Sequence, residues 1–259
     1  LHIQACKIMI HIYFRTAHKR NMNNRPEWFS FEDCWRNLVE TKEDCNLTVI
    51  HDGILDREYE GADSVINIDA HEILPVLLSE WEQNDDTYID HDENGQKYEK
   101  RVEAPDSEKA SGYLLYEHIY DNIDDLDDHD IIYIVEDDYV HLPGWVTVLQ
   151  NLYDIYPKVN YFSLYDHPDK YSQRYAGLQA QIFMTNYVHW RTIPSTCGTF
   201  GGKVGYFKED KEIHHYNLGD HNKFLKLTQK GRHFISPLPG LATHCVDPWV
   251  SPFRDWANV

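Results

Sequence analysis

The stretch IIYIVEDDYVHLPGW, residues 131 to 145, drives an apolar run into three consecutive carboxylates, Glu136, Asp137 and Asp138, then turns through Pro143 and Gly144. Ligands of open α/β sheets gather beyond the carboxyl ends of the strands, which is where this triplet falls. Three adjacent carboxylates repel one another, so the arrangement is costly unless a cation sits among them. Alternate side chains of an extended segment share a face, so Glu136 and Asp138 are expected to point at a ligand together while Asp137 points elsewhere. Hard oxygen donors favour Mg²⁺ or Mn²⁺, ions that keep waters and take phosphate oxygens as further ligands. The chemistry implied is that of a nucleotide diphosphate bridge. A solvated surface loop is the alternative for any short acidic run; the strand before this one and the turn after it set it apart.

The elements that must position the triplet read as an α/β sheet with parallel pairs. Lys7 to Phe14 is a β-rich apolar run feeding a polar loop, RTAHKRNMNNRP. Glu27 to Glu40 shows helical spacing of Trp28, Phe31, Trp35, Leu38 and Val39 after Pro26. NLTVIHDG and the weaker ADSVINID come next as strands. From Ser79 to Lys109 the sequence is polar and acidic, expected as an insertion or mobile loop. Within it, Asp90 to Gly95 fits the first half of an EF-hand loop, but Arg101 stands where the bidentate Glu is needed. Ser111 to Tyr120 reads as a helix opened by Ser-Gly, GWVTVLQNLYDIY as a helix, and QIFMTNYVHW and TCGTFGGKVGYF as later strands or a hairpin.

Composition bounds the rest. The chain has 259 residues, 42% hydrophobic and 14% aromatic, enough for a substantial core in a single globular unit. Its formal charge of -19 opposes binding to a polyanion such as duplex DNA or RNA. The five cysteines show no CxxC spacing and read as reduced thiols. With no apolar run long enough to span a membrane and no signal-peptide pattern at the first residues, the expected compartment is the cytoplasm.

IVEDDYVHLPGW, SLYDHPDKY, HWRTIPSTCGTF, GDHNKF and KGRHFISPLPGLATHC, in this order, resemble the blocks of a group of bacterial and viral glycosyltransferases of the GT-A fold. In that fold a DXD motif at a strand end binds a metal-chelated nucleotide sugar. The resemblance covers nearly the whole chain from Lys7. It implies a GT-A-like (Rossmann-like), mixed, mostly parallel central sheet flanked by helices. Residues 7 to 145 would form the nucleotide-sugar half, with the acidic insertion, and 146 to 259 the acceptor half. The implied cofactor is Mn²⁺ or Mg²⁺, the donor a UDP- or GDP-sugar, and the acceptor a hydroxyl of a glycan or glycoconjugate.

Residue by residue, the resemblance makes Asp138 the metal ligand, joined by His244, and Glu136 the nucleotide-side acid beside Asp137. Arg15, Thr16 and Asp52, at strand exits, and Ser111 and Gly112 would lie near the nucleotide. Asp220 matches the acid that serves as base in inverting members, although Gly219 precedes it where those members carry Glu. The same Asp220 also fits a helix N-cap, since NKFLKL comes after it with an apolar helical pattern. Asp166, His167, Asp169, Trp190, Arg191, Gly201 and Gly202 are placed at the acceptor or sugar pocket, with core packing equally open for Trp190. A carbohydrate-binding module without catalysis and a metal-dependent phosphoesterase or nucleotide-sugar hydrolase are the rival functions.

Overall fold

The computed structural model describes residues 8–85, 87–91, 96–216 and 219–259. The first strand, β1 (Ile10–Ala17), buries Ile10, Ile12, Phe14 and Thr16 on one face and Tyr13 on the other, as suits a central parallel strand. The helix expected over Glu27 to Glu40 begins later, as α1 (Phe31–Thr41), because the Ser30 side chain accepts from the Asp33 N–H and supplies an N-cap. Strands β2 (Asn46–Asp52) and β3 (Ser64–Ile68) succeed it. Then comes a helix the sequence did not announce, α2 (Ala70–Gln83), with Asp69 capping its start and Pro75 inside it. Only Ala70 and Leu77 of α2 are buried, so its apolar periodicity is weak.

The polar stretch from Ser79 therefore holds the end of α2 and an antiparallel hairpin, β4 (Thr87–His91) with β5 (Lys97–Arg101). The EF-hand-like half-loop falls largely outside the described residues. Helix α3 (Ser107–Asn122) starts at Asp106, whose side chain accepts from the Lys109 N–H. Ser111 and Gly112 thus sit in its second turn, which corrects their expected place at a helix start.

The apolar run before the carboxylates is β6 (Ile131–Glu136), succeeded by the short β7 (Tyr139–His141) and by α4 (Trp145–Ile155). Beyond α4 come β8 (Tyr161–Phe162), β9 (Ile182–Met184), β10 (His189–Ile193) and β11 (Phe200–Lys203). Helices α5 (Val204–Glu209), α6 (Lys211–Tyr216) and α7 (Asp220–Gln229) precede β12 (Phe234–Leu238) and β13 (Ala242–His244).

Among the described residues nine strands form one sheet in the order β3-β2-β1-β6-β11-β8-β12-β10-β9. Its pairings orient seven strands one way, with β10 and β11 opposed, a mixed and mostly parallel sheet as expected. Strand alternation divides the core. Ile12, Tyr133 and Val135 pack on one face with Leu38, Trp145 and Leu149 of α1 and α4. Ile132 and Ile134 pack on the other with Leu115, Phe207 and Phe224 of α3, α5 and α7. Each such fully buried side chain contributes roughly 1.5–3 kcal/mol. Among the described residues no helix is long and apolar enough to cross a membrane. Cys34, Cys45, Cys197 and Cys245 are in no disulfide.

One buried acid ties the second half together. Asp210, between α5 and α6, accepts from Arg232 Nε (2.7 Å), Arg232 Nη2 (2.9 Å) and the Tyr161 hydroxyl (2.8 Å), with Lys230 Nζ at 2.6 Å. Burial raises its pKa, but these partners outweigh it and hold the carboxyl below its ordinary value. Such a group adds stability above the unfolded carboxylate pKa and loses it as pH falls through the lower folded value. Asp210→Asn should therefore cost about 3 kcal/mol at pH 7 in urea unfolding. The gap to the wild type should close below about pH 4; an unchanged gap there contradicts the assignment.

Candidate functional site

Strands β1 and β6 run side by side, with Arg15 in register with Glu136 at their carboxyl ends. Past Glu136 the backbone turns instead of staying extended, so the alternation expected of the triplet fails. Each acid has its own arginine, from the end of β1 or the loop after it. Arg15 Nη2 lies 2.5 Å from Glu136 Oε1, Arg20 Nε 3.1 Å from Asp137 Oδ2, and Arg25 Nη1 2.7 Å from Asp138 Oδ2. Thr16 Oγ1 also donates to Asp137 Oδ2 at 2.6 Å. The guanidinium of Arg20 sits over the Phe31 ring and that of Arg25 over Phe29, fixing both side chains. Arg20 and Arg25 were missed in the sequence; their signal was a basic residue every fifth position from Arg15.

The three acids are not equivalent. Burial raises Glu136 against the pull of Arg15. Burial, with Asp138 adding repulsion, pushes Asp137 up to about 6. Burial works the same way on Asp138, but hydrogen bonds and charge from His244 and Arg25 override it and hold that carboxyl low. His244 answers in kind: burial opposes its charge, yet Asp138 raises its pKa. The result is an ion pair, His244 Nε2 to Asp138 Oδ2 at 3.0 Å, with the imidazole stacked on Tyr139 at 4.9 Å. The β7–β13 pairing, His244 opposite Tyr139, brings the two together. Gly198 matters here, because a Cβ on it would lie 2.8 Å from Glu136 Oε1.

Beside Glu136 opens a cavity of about 290 Å³, lined in part by Arg15, Gly112, Tyr116, Glu136, Asp220 and Lys223. Asp220 is the first residue of α7, with Gly219 as the cap, so it can face the cavity without serving as N-cap itself. One turn on, buried Lys223 places Nζ 2.9 Å from the Tyr116 hydroxyl and 3.5 Å from Asp220 Oδ1. Burial opposes the charge of Lys223, but Tyr116 and Asp220 raise its pKa. Nothing in the sequence singled it out. Asp138 and His244 do not line this cavity; Glu136 does, and it lies within the field of Asp138, Asp220 and His244.

Asp138 Oδ1 is buried and has no partner, an orphan acceptor of the kind a hard cation satisfies. Among the described residues no group of three His, Cys, Asp or Glu side chains forms a ready cation cage. Of the residues present, Asp138 Oδ1 is the donor an ion would meet, with His244 a second one only after it gives up its proton and leaves Oδ2, and the remaining ligands would come from substrate and water.

The other expected residues scatter. Asp52 Oδ1 accepts from the Ala70 N–H at 2.9 Å, tying the end of β2 to the start of α2. Ser111 is buried inside α3. Asp166 is fully buried and bonded to Arg191 Nη2 (2.6 Å) and the Tyr171 hydroxyl (2.7 Å), a closed internal pair. His167 Nδ1 accepts from the Asp169 N–H at 3.1 Å and starts a 3-10 turn. Trp190 packs in the core, the alternative left open beside its placement at a pocket. Gly201 and Gly202 are corrected too: a Cβ on either would meet Ile132 O at 2.5 Å or Asn160 O at 2.6 Å, so strand packing accounts for both.

No protein-family model matches the chain and no curated protein does. Among solved structures, mouse xyloside xylosyltransferase 1 in its apo form overlaps 88% of this chain and 84% of its own, at 12% identity and a TM-score of 0.43. The galactosyltransferase LgtC, in complex with donor and acceptor sugar analogues, overlaps 86% and 72%, at 10% identity and a TM-score of 0.40. Both are distant, and the chemistry of the site stands on its own residues.

The pairing of acids with arginines can be measured directly. In a double-mutant cycle on Arg15→Ala and Glu136→Gln, urea unfolding should give a coupling energy of about 2 kcal/mol. A coupling near zero would mean the contact is incidental.

Proposed function

We propose that the protein is a metal-dependent glycosyltransferase that moves a sugar from a nucleotide diphosphate to a hydroxyl of a glycan or glycoconjugate, with inversion. The observation that carries this reading is one constellation. The half-exposed carboxylate of Asp220 lines the same cavity as the strand-end acid Glu136, and close to Glu136 in the chain stands Asp138 with its orphan oxygen. Acids and arginines at adjacent parallel strand ends also suit a polar, phosphate-bearing ligand. Five sequence blocks resembling GT-A glycosyltransferases support the same class.

In this reading residues 7 to 145 bind the UDP- or GDP-sugar, with Arg15, Thr16, Gly112, Glu136 and Asp137 on the nucleotide side. The part from 146 onward takes the acceptor. Asp138, with His244, would hold Mn²⁺ or Mg²⁺, which when bound neutralises the departing diphosphate. Asp220 takes the proton of the acceptor hydroxyl as the new bond forms, and Lys223 fixes the Asp220 carboxylate from one turn away. A single displacement with a carboxylate base inverts the anomeric centre. Buried Tyr116, bonded to Lys223, closes the wall behind it.

The test is nucleotide release from UDP- and GDP-sugars with Mn²⁺ and a panel of glycan acceptors. Asp220→Asn should lower acceptor-dependent release about a thousandfold while leaving donor affinity unchanged. Release that is as fast without acceptor, or that survives Asp220→Asn, points to the hydrolase instead.

A further inference from the structure

The acid that would meet a divalent ion already carries a cation of the protein's own. Oδ2 of Asp138 takes both Arg25 Nη1 at 2.7 Å and His244 Nε2 at 3.0 Å. An ion on the other oxygen of this carboxylate would share it with two positive groups, and each repels it. Arg25 reaches further: Nη1 also donates to Cys245 O at 3.0 Å, so one guanidinium spans from the acid to the backbone beside His244. Its side chain is only 10% exposed, which makes the pairing a built contact rather than a surface one.

Yet Arg25 does not stand on a rigid element. It ends a stretch, residues 19–25, that holds no helix, no strand and no buried residue. Nε and Nη2 turn back to Asn21 O at 3.0 and 2.8 Å, so the side chain and its loop form one unit. Polar contacts tie that unit to the body of the protein: Arg25 on Asp138, Arg20 on Asp137, and the Asp247 N–H donating to Asn24 O at 2.7 Å. A loop that buries no residue in the core opens at a fraction of the cost of global unfolding.

We propose that Arg25 is a built-in stand-in for the divalent cation: it holds Asp138 until a cation arrives, and the loop of residues 19–25 lifts off as Arg25 gives up its place. The inference rests on the metal-dependent glycosyltransferase reading. Its consequence is a coupling between cation and diphosphate. A cation alone must displace Arg25, and binds weakly for that reason. A diphosphate arriving with it offers the freed guanidinium a bidentate partner, which makes the exchange favourable. Asp138 keeps a positive partner before and after, so the buried carboxylate is not left uncompensated.

Mn²⁺ binding to the full chain without nucleotide, followed by the loss of the free-ion paramagnetic resonance signal, reads this with no turnover. Arg25→Ala should bind Mn²⁺ about tenfold more tightly than the wild type, while Arg25→Lys, which keeps a positive charge there, should gain far less. Adding Asp138→Asn to Arg25→Ala should remove the gain and so tie it to this carboxylate. A second arm uses the wild type alone and does not depend on how well a variant folds. Saturating Mn²⁺ should quicken hydrogen exchange at the Asp247 N–H, which holds the loop down, whereas an ion that merely bound beside His244 would slow it or leave it unchanged. Arg25→Ala binding Mn²⁺ no better than the wild type, or an Asp247 N–H as protected with Mn²⁺ as without it, overturns the stand-in and leaves the metal reading standing. No Mn²⁺ binding by either protein overturns both.

Discussion

Three negative charges meet where β6 ends, and three arginines from the end of β1 and its loop answer them. Unpaired, carboxylates this buried would not stay ionised together. The arginines can reach them only because β1 and β6 are adjacent and parallel with their carboxyl ends level. That adjacency in turn requires the two-faced core, with α1 and α4 on one side and α3, α5 and α7 on the other. The pairing of acids with guanidinium groups is thus the constraint the site is built around. Among the buried oxygens of the three acids it leaves Oδ1 of Asp138 without a partner.

The charges also grade the site from one side to the other. On the Asp138 side the acid is held ionised by Arg25 and His244. On the cavity side Glu136 is pushed toward protonation, close to Asp220 and the buried ammonium of Lys223. A ligand spanning both sides meets an unpartnered carboxylate oxygen at one end and the half-exposed carboxylate of Asp220 at the other. Short antiparallel pairing of β7 with β13 supplies the imidazole from far along the chain.

Strand β6 and the importance of the acids at its end were legible because five apolar residues before three carboxylates is a pattern few other arrangements produce. Helix α4 and the helix after Asp220 were legible from their periodicity. Helix α2 was hidden by its exposure and by Pro75, and the start of α3 by Ser111 and Gly112, which look like a cap until Asp106 is seen to take that role. The split orientation of the triplet was misjudged because a turn replaces the extended geometry at Asp137. Gly201, Gly202 and Trp190 look like ligand residues by type, yet tertiary packing decides them. Lys223 carries no local signal of function, and the five-residue spacing of Arg15, Arg20 and Arg25 gains meaning only when the fold brings them to the acids.

The most direct test is a thermal-shift titration of UDP and GDP, each with and without Mn²⁺, on the wild type and on Asp138→Ala. A ligand that binds only the folded state raises the melting temperature in proportion to its affinity. If the orphan oxygen of Asp138 serves a metal-bridged nucleotide, one nucleotide should raise the melting temperature only when Mn²⁺ is present, and Asp138→Ala should abolish the rise. No shift with either nucleotide and Mn²⁺, or the same shift in Asp138→Ala, contradicts it.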